Sequence, residues 1–121
     1  MPSVYLADTI SAERSAFRLI IRDLGWNLAG EAADWPTVLA QVPLSRSDIL
    51  VVSWILLSTS PGEGIKRLRM SCQVPLVVVL VSPMDSRQQA ALSTGADVFI
   101  SRNEMAERVV DRFRAIATQF Y

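Results

Sequence analysis

The sequence predicts an α/β chain, a five-stranded parallel sheet covered by helices on both faces. Three observations carry that expectation. Short apolar runs rich in β-branched residues alternate with stretches of helical period. The strongest runs are apolar at every position, as strands buried on both faces are. Glycine, proline or an N-capping residue marks most junctions between runs and helices.

Val4-Tyr5-Leu6-Ala7, closed by Asp8, reads as the first buried strand. Ala16, Phe17, Ile20, Ile21 and Leu24 then recur at helical spacing and line one face of a first helix, which Gly25 stops as a C-terminal cap. A weaker strand signal covers 26–31. Asp34 caps a short second helix carrying Val38 and Leu39, with Pro36 accommodated because it falls in the first turn. Asp48-Ile49-Leu50-Val51-Val52-Ser53 repeats the design of the first strand. Ser60-Pro61-Gly62-Glu63 forms a capping box that opens a third helix with Ile65 and Leu68 inward. Residues 74–81 are almost entirely β-branched or leucine and belong mid-sheet, with Pro75 near the start, where its missing N–H does least harm. A fourth helix over 85–94 ends at Gly95, and a weaker strand signal covers 97–101. Met105, Val109, Val110, Phe113, Ile116 and Phe120 give the fifth helix an apolar stripe.

Right-handed crossovers leave few ways to join five such units, and the flavodoxin-like three-layer (βα)5 fold with strand order 2-1-3-4-5 is the expected one. It sets functional groups at the carboxyl ends of the first and third strands, Asp8-Thr9 and Ser53-Trp54. A chain of 121 residues is enough for one core, so residues 1–121 are expected to form a single domain.

Composition removes several classes of function. Twelve basic and twelve acidic side chains sum to zero, so no basic excess is available to hold nucleic acid or an anionic lipid surface. The longest apolar run is too short to span a bilayer, and the first residues lack the pattern of a signal peptide, so a cytoplasmic location without membrane contact is expected. The chain has no histidine, which excludes histidine acid-base chemistry and the usual zinc ligand sets. Cys72 is the single cysteine and has no partner for an internal disulfide. The glycine- and hydroxyl-rich segment from Ser58 to Gly64 lacks the Walker lysine and reads as helix capping. No cofactor and no metal are expected. Ser53 has no evident general base, with Lys66 the sole lysine, so the chain is not expected to be an enzyme.

Taken together, Val4-Tyr5-Leu6-Ala7-Asp8, Gly30-Glu31-Ala32-Ala33, Asp48-Ile49-Leu50-Val51-Val52, the run from Pro75 to Val81 and the later Gly95-Ala96-Asp97 form a pattern. From Val4 to Ala117 the chain resembles a receiver domain of two-component response regulators, especially the kind joined to LuxR-type DNA-binding domains. In that family two acids after the first strand and an aspartate after the third hold Mg²⁺, because a hard cation needs several carboxylate oxygens, and the third aspartate takes a phosphoryl group. Carried over by position, Asp8 keeps the first acid, Thr9 stands at the second and Ser53 at the phosphoacceptor. Leu80 occupies the place of the phosphoryl-binding hydroxyl. Arg102 stands for the lysine, followed by Asn103 where a proline is usual, and Phe99 takes the switch-aromatic position.

The resemblance therefore implies a degenerate, or pseudo-, receiver that acts by protein contact and independently of phosphorylation, in signal transduction or transcriptional regulation. An ion pair between Asp8 and Arg102 is expected to neutralise the pocket, with Trp54 at its mouth and Trp26 and Trp35 as packing residues. Arg102, Arg108, Asp111 and Arg112 form the expected interface strip, for a partner protein or for a homodimer through the fourth helix, fifth strand and fifth helix. The alternative is a small-molecule-binding domain using the vacated pocket between Asp8, Ser53, Trp54 and Arg102.

Overall fold

The computed structural model describes residues 2–57, 61–73, 75–83, 95–102 and 104–120. Five parallel strands, β1 (Ser3–Ala7), β2 (Asn27–Ala32), β3 (Ile49–Ser53), β4 (Val77–Ser82) and β5 (Val98–Ser101), form one sheet in the order β2-β1-β3-β4-β5. This is the predicted flavodoxin-like topology. Helices α1 (Ser11–Asp23), α2 (Trp35–Ser45), α3 (Pro61–Ser71) and a C-terminal helix (Ala106–Phe120) follow β1, β2, β3 and β5. The expected fourth helix and residues Ser58, Ser60, Val74 and Asn103 lie outside the described residues.

Strand alternation divides the core. Tyr5, Ala7, Leu50, Val52, Val78 and Leu80 face α2 and α3, where Val38, Val42, Ile65 and Leu68 meet them. Val4, Leu6, Ile49, Val51, Val79 and Val81 point the other way, toward Ile21, Val109, Phe113 and Ile116 of α1 and the C-terminal helix. β3 and β4 are buried at every position, which explains their unbroken apolar runs. Edge strand β2 is exposed over its first half. Gly30 lets it lie against Tyr5, since a Cβ there would come within 2.7 Å of the Tyr5 ring.

Local signals account for the helix ends. Gly25 sits at φ +73, its N–H donating to the Arg22 carbonyl while Trp26 N–H donates to that of Ile21, and these two bonds form a Schellman motif. Asp34 accepts from Thr37 N–H at 2.8 Å and caps α2. The second helix is longer than expected, continuing through Pro43 to Ser45.

Other expectations are corrected. Pro75 precedes β4, whose ladder opens only where Val77 N–H donates to the Asp48 carbonyl at 3.0 Å. Ala16 is exposed, so the inward face of α1 is Phe17, Ile20, Ile21 and Leu24. Met105 lies before the C-terminal helix and is exposed, its carbonyl accepting the first helical bonds; Phe120, at the last turn, also stays in contact with solvent.

Candidate functional site

The carboxyl ends of β1, β3 and β5 bring Asp8, Ser53 and Arg102 to one edge of the sheet. Asp8 follows β1 directly and is buried. Its Oδ1 accepts from Ile10 N–H at 2.9 Å, turning the chain into α1, and its carbonyl accepts from Arg14 Nη1 at 2.6 Å. Thr9 points outward and is exposed. Ser53 is the last residue of β3, buried, and its Oγ accepts from Arg102 Nη2 at 2.6 Å. Arg102 is placed for that bond because its own N–H donates to the Ser82 carbonyl, one step past β5.

The expected ion pair between Asp8 and Arg102 does not form. Arg102 instead lies against Glu13, Nε to Oε1 at 3.0 Å, without the alignment of a hydrogen bond. Glu13 stands in the first turn of α1, which carries its carboxylate over the sheet edge toward both Asp8 and Arg102. Burial pushes the Glu13 carboxyl up to about 7. The neighbouring Asp8 carboxyl pushes the same way, and the Arg102 guanidinium opposes them. The Glu13 carboxyl thus changes charge near neutral pH beside the Arg102 guanidinium, and Arg102 also satisfies the Ser53 hydroxyl. Arg102 thus joins the end of β3 to the first turn of α1 at this edge of the sheet.

Sequence reasoning missed Glu13. Its signal was its place in the first turn after Asp8, where a helix rising from the end of a strand carries side chains back over the sheet edge, but only the apolar positions of α1 define a periodic face.

Leu80 is completely buried, between Val52 on one side and Phe99 on the other across the β4–β5 ladder. Phe99 is partly buried and packs against the same core. The two residues therefore meet as apolar neighbours. Trp54 is not a mouth residue. It opens a short 3-10 turn (Trp54–Leu57) and packs on the α2–α3 side of the core, as Trp35 does. Trp26 packs edge-on to Phe113 at 5.9 Å on the other side.

The expected interface strip divides. Arg102 is drawn into the pocket, and Arg112 is tied to Glu104 at 2.6 Å, leaving Arg108 and Asp111 exposed. Burial works against the Glu104 carboxylate, but bonds from Arg112 and the Ser101 N–H hold it below the usual range. A cavity of about 190 Å³ opens beside Arg102, between α1 and the C-terminal helix, with mainly apolar walls from Phe17, Ile20, Val81, Ile100 and Val109. Among the described residues no cluster of His, Cys, Asp and Glu has the numbers to hold a metal ion, and no helix is long and apolar enough to cross a membrane.

The sheet order and the pocket at its carboxyl edge decide the fold. The chain has the receiver-domain fold. It superposes on the receiver domain of RcsB from Salmonella enterica, solved with the phosphomimetic BeF3⁻, with TM-score 0.80, 15% identity and coverage of 98% of this chain and 89% of that one. A LuxR-family response regulator from Aurantimonas gives TM-score 0.80 at 21% identity, covering 98% of this chain and 86% of that one. In sequence the chain is 25% identical over 116 residues to the sensory transduction protein RegX3 of Mycolicibacterium smegmatis, covering 96% of this chain and 50% of that protein. Its likeness to RegX3 of Mycobacterium leprae is 28% over 83 residues, 69% of this chain and 42% of that protein. The chain spans about half the length of the curated relatives it matches. No protein-family model matches it.

Proposed function

We propose that this chain is a response-regulator receiver domain whose output does not depend on aspartyl phosphorylation and which acts, without catalysis, by binding a partner protein in a signalling or transcriptional pathway. The observation that carries this reading is the bond from Arg102 to Ser53, with Glu13 against the same guanidinium. Arg102 is engaged by the Ser53 hydroxyl, which stands at the phosphoacceptor position, Thr9 offers no carboxylate, and the Glu13 carboxyl beside Asp8 is set against the same guanidinium, so no open set of carboxylates is left for Mg²⁺. Leu80 and Phe99 provide no hydroxyl through which a bound group would bias two states, so the receiver surface stays in one state.

Arg108 and Asp111 on the C-terminal helix are the outward charges of the expected interface strip and are assigned to the partner protein. The second reading, a small molecule bound at the site, is favoured by the cavity beside Arg102 and would use its apolar walls rather than Ser53 or Trp54.

Incubation with acetyl phosphate and Mg²⁺ followed by intact-mass measurement tests the first reading. No added mass is expected. A stoichiometric, base-labile phosphoryl adduct overturns it. An amide NMR titration with beryllofluoride is expected to leave Asp8, Ser53, Arg102 and Phe99 unmoved.

A further inference from the structure

The outer surface of α2 has a different character from the rest of the molecule. Its eleven residues, WPTVLAQVPLS, include no ionisable side chain. Val38 and Val42 are buried, yet Pro36, Ala40 and Leu44, at helical spacing, form an exposed ridge that is also uncharged, with Leu44 83% exposed. A helix apolar on both faces is usually covered on both. Charge stands only at its two ends, Asp34 at the N-cap and Arg46 at the C-cap, both exposed.

Beside the N-terminal half of α2 runs a groove lined by Trp35 and Leu57 and, from α3, by Glu63, Gly64, Lys66, Arg67 and Met70. Its floor exists because residue 64 is glycine, for a Cβ there would come within 3.3 Å of both Leu57 and the Trp35 indole. Met70 is 79% exposed at its edge, and among the described residues Lys66 and Arg67 make no ion pair.

We propose that α2 is a self-association surface, on which a second copy of this chain docks with the two α2 helices antiparallel across a twofold axis near Ala40. Antiparallel pairing sets Asp34 of one copy beside Arg46 of the other at both ends, while parallel pairing would set like charges together. Nine residues separate Trp35 from Leu44, a rise of about 14 Å along the helix, so the same arrangement carries the Leu44 side chain of each copy to the Trp35 end of the other, where the groove lies. Knob and groove on one patch make that patch self-complementary, the condition for an isologous interface. An uncharged ridge meets its own copy without opposing like charges. A contact built on one helix pair is small and corresponds to a weak, concentration-dependent dimer. The inference is independent of the phosphorylation pocket and involves neither Arg108 nor Asp111.

Sedimentation velocity up to high micromolar concentration is expected to show a reversible dimer, and Leu44→Glu to raise its dissociation constant about tenfold or more. Because Leu44 is exposed, the variant is expected to fold. In a Cys72→Ser background, Ala40→Cys is expected to form an intermolecular disulfide on mild oxidation, as the residue at the twofold axis. A monomer throughout the concentration range overturns the proposal. So does a dimer that Leu44→Glu leaves intact and Ala40→Cys fails to cross-link. A dimer broken instead by Arg108→Glu would move self-association to the C-terminal helix and equally overturn it.

Discussion

The two faces of the sheet bury similar apolar surfaces and finish their exteriors in opposite ways. On the side of α1 and the C-terminal helix, side chains at the carboxyl edge bond across elements: Arg102 to Ser53 and against Glu13, Arg14 to the Asp8 carbonyl, Arg18 to Glu31 at 2.9 Å, Arg112 to Glu104. On the side of α2 and α3, α2 has no ionisable residue, Arg69 of α3 pairs with Asp97 at 2.7 Å, and among the described residues Lys66 and Arg67 make no ion pair. Charges that are paired internally close a surface against an incoming ligand, whereas an uncharged ridge beside unpaired cations leaves one open to a partner.

The largest expected effect probes the packing beneath the first face. Phe113 is completely buried and meets Phe17 and Trp26 edge-on at 6.1 and 5.9 Å. Phe113→Ala is expected to cost about 3–5 kcal/mol in urea unfolding, and a loss below about 1 kcal/mol would mean that the charged network rather than this packing holds the face.

A smaller effect tests the network directly. Arg102→Met leaves the Ser53 hydroxyl without its donor and Glu13 without its cation, and is expected to cost about 1–3 kcal/mol. Adding Glu13→Gln should recover part of that loss, because the second change removes the stranded carboxyl. Strict additivity in the double-mutant cycle would separate the two residues energetically.

The smallest effect is in the pH profile. The Glu13 carboxyl, ordinarily near 4.5, is raised to about 7 in the folded chain, so between these values the folded state binds more protons than the unfolded one. The Glu13 contribution is therefore fully present below pH 4.5 and is lost as pH rises through about 7. Glu13→Gln is expected to keep its melting temperature over this window better than the parent chain does. Parallel profiles for the two proteins would show that Glu13 does not titrate there.

Much of the architecture was legible because it rests on local signals. β1, β3 and β4 announce themselves as apolar runs, Gly25 and Asp34 mark the helix ends they cap, and Ile65 and Leu68 turn inward at helical spacing. Pro43 gave no warning that α2 would pass through it. Met105 fits the period of the C-terminal stripe, but periodicity does not state where the first helical turn begins.

The sequence by itself determined the fold class and the strand order, because each depends on residue type and near neighbours along the chain. Only the tertiary structure decided which groups meet in the pocket. Arg102 reaches Ser53 and Glu13 rather than pairing with Asp8, and those partners come from the ends of different strands and the start of α1. It also decided that α2 keeps an uncharged face outward beside a groove floored by Trp35 and Gly64. Electrostatic and packing energies depend on distance and burial, and neither is written in the order of residues.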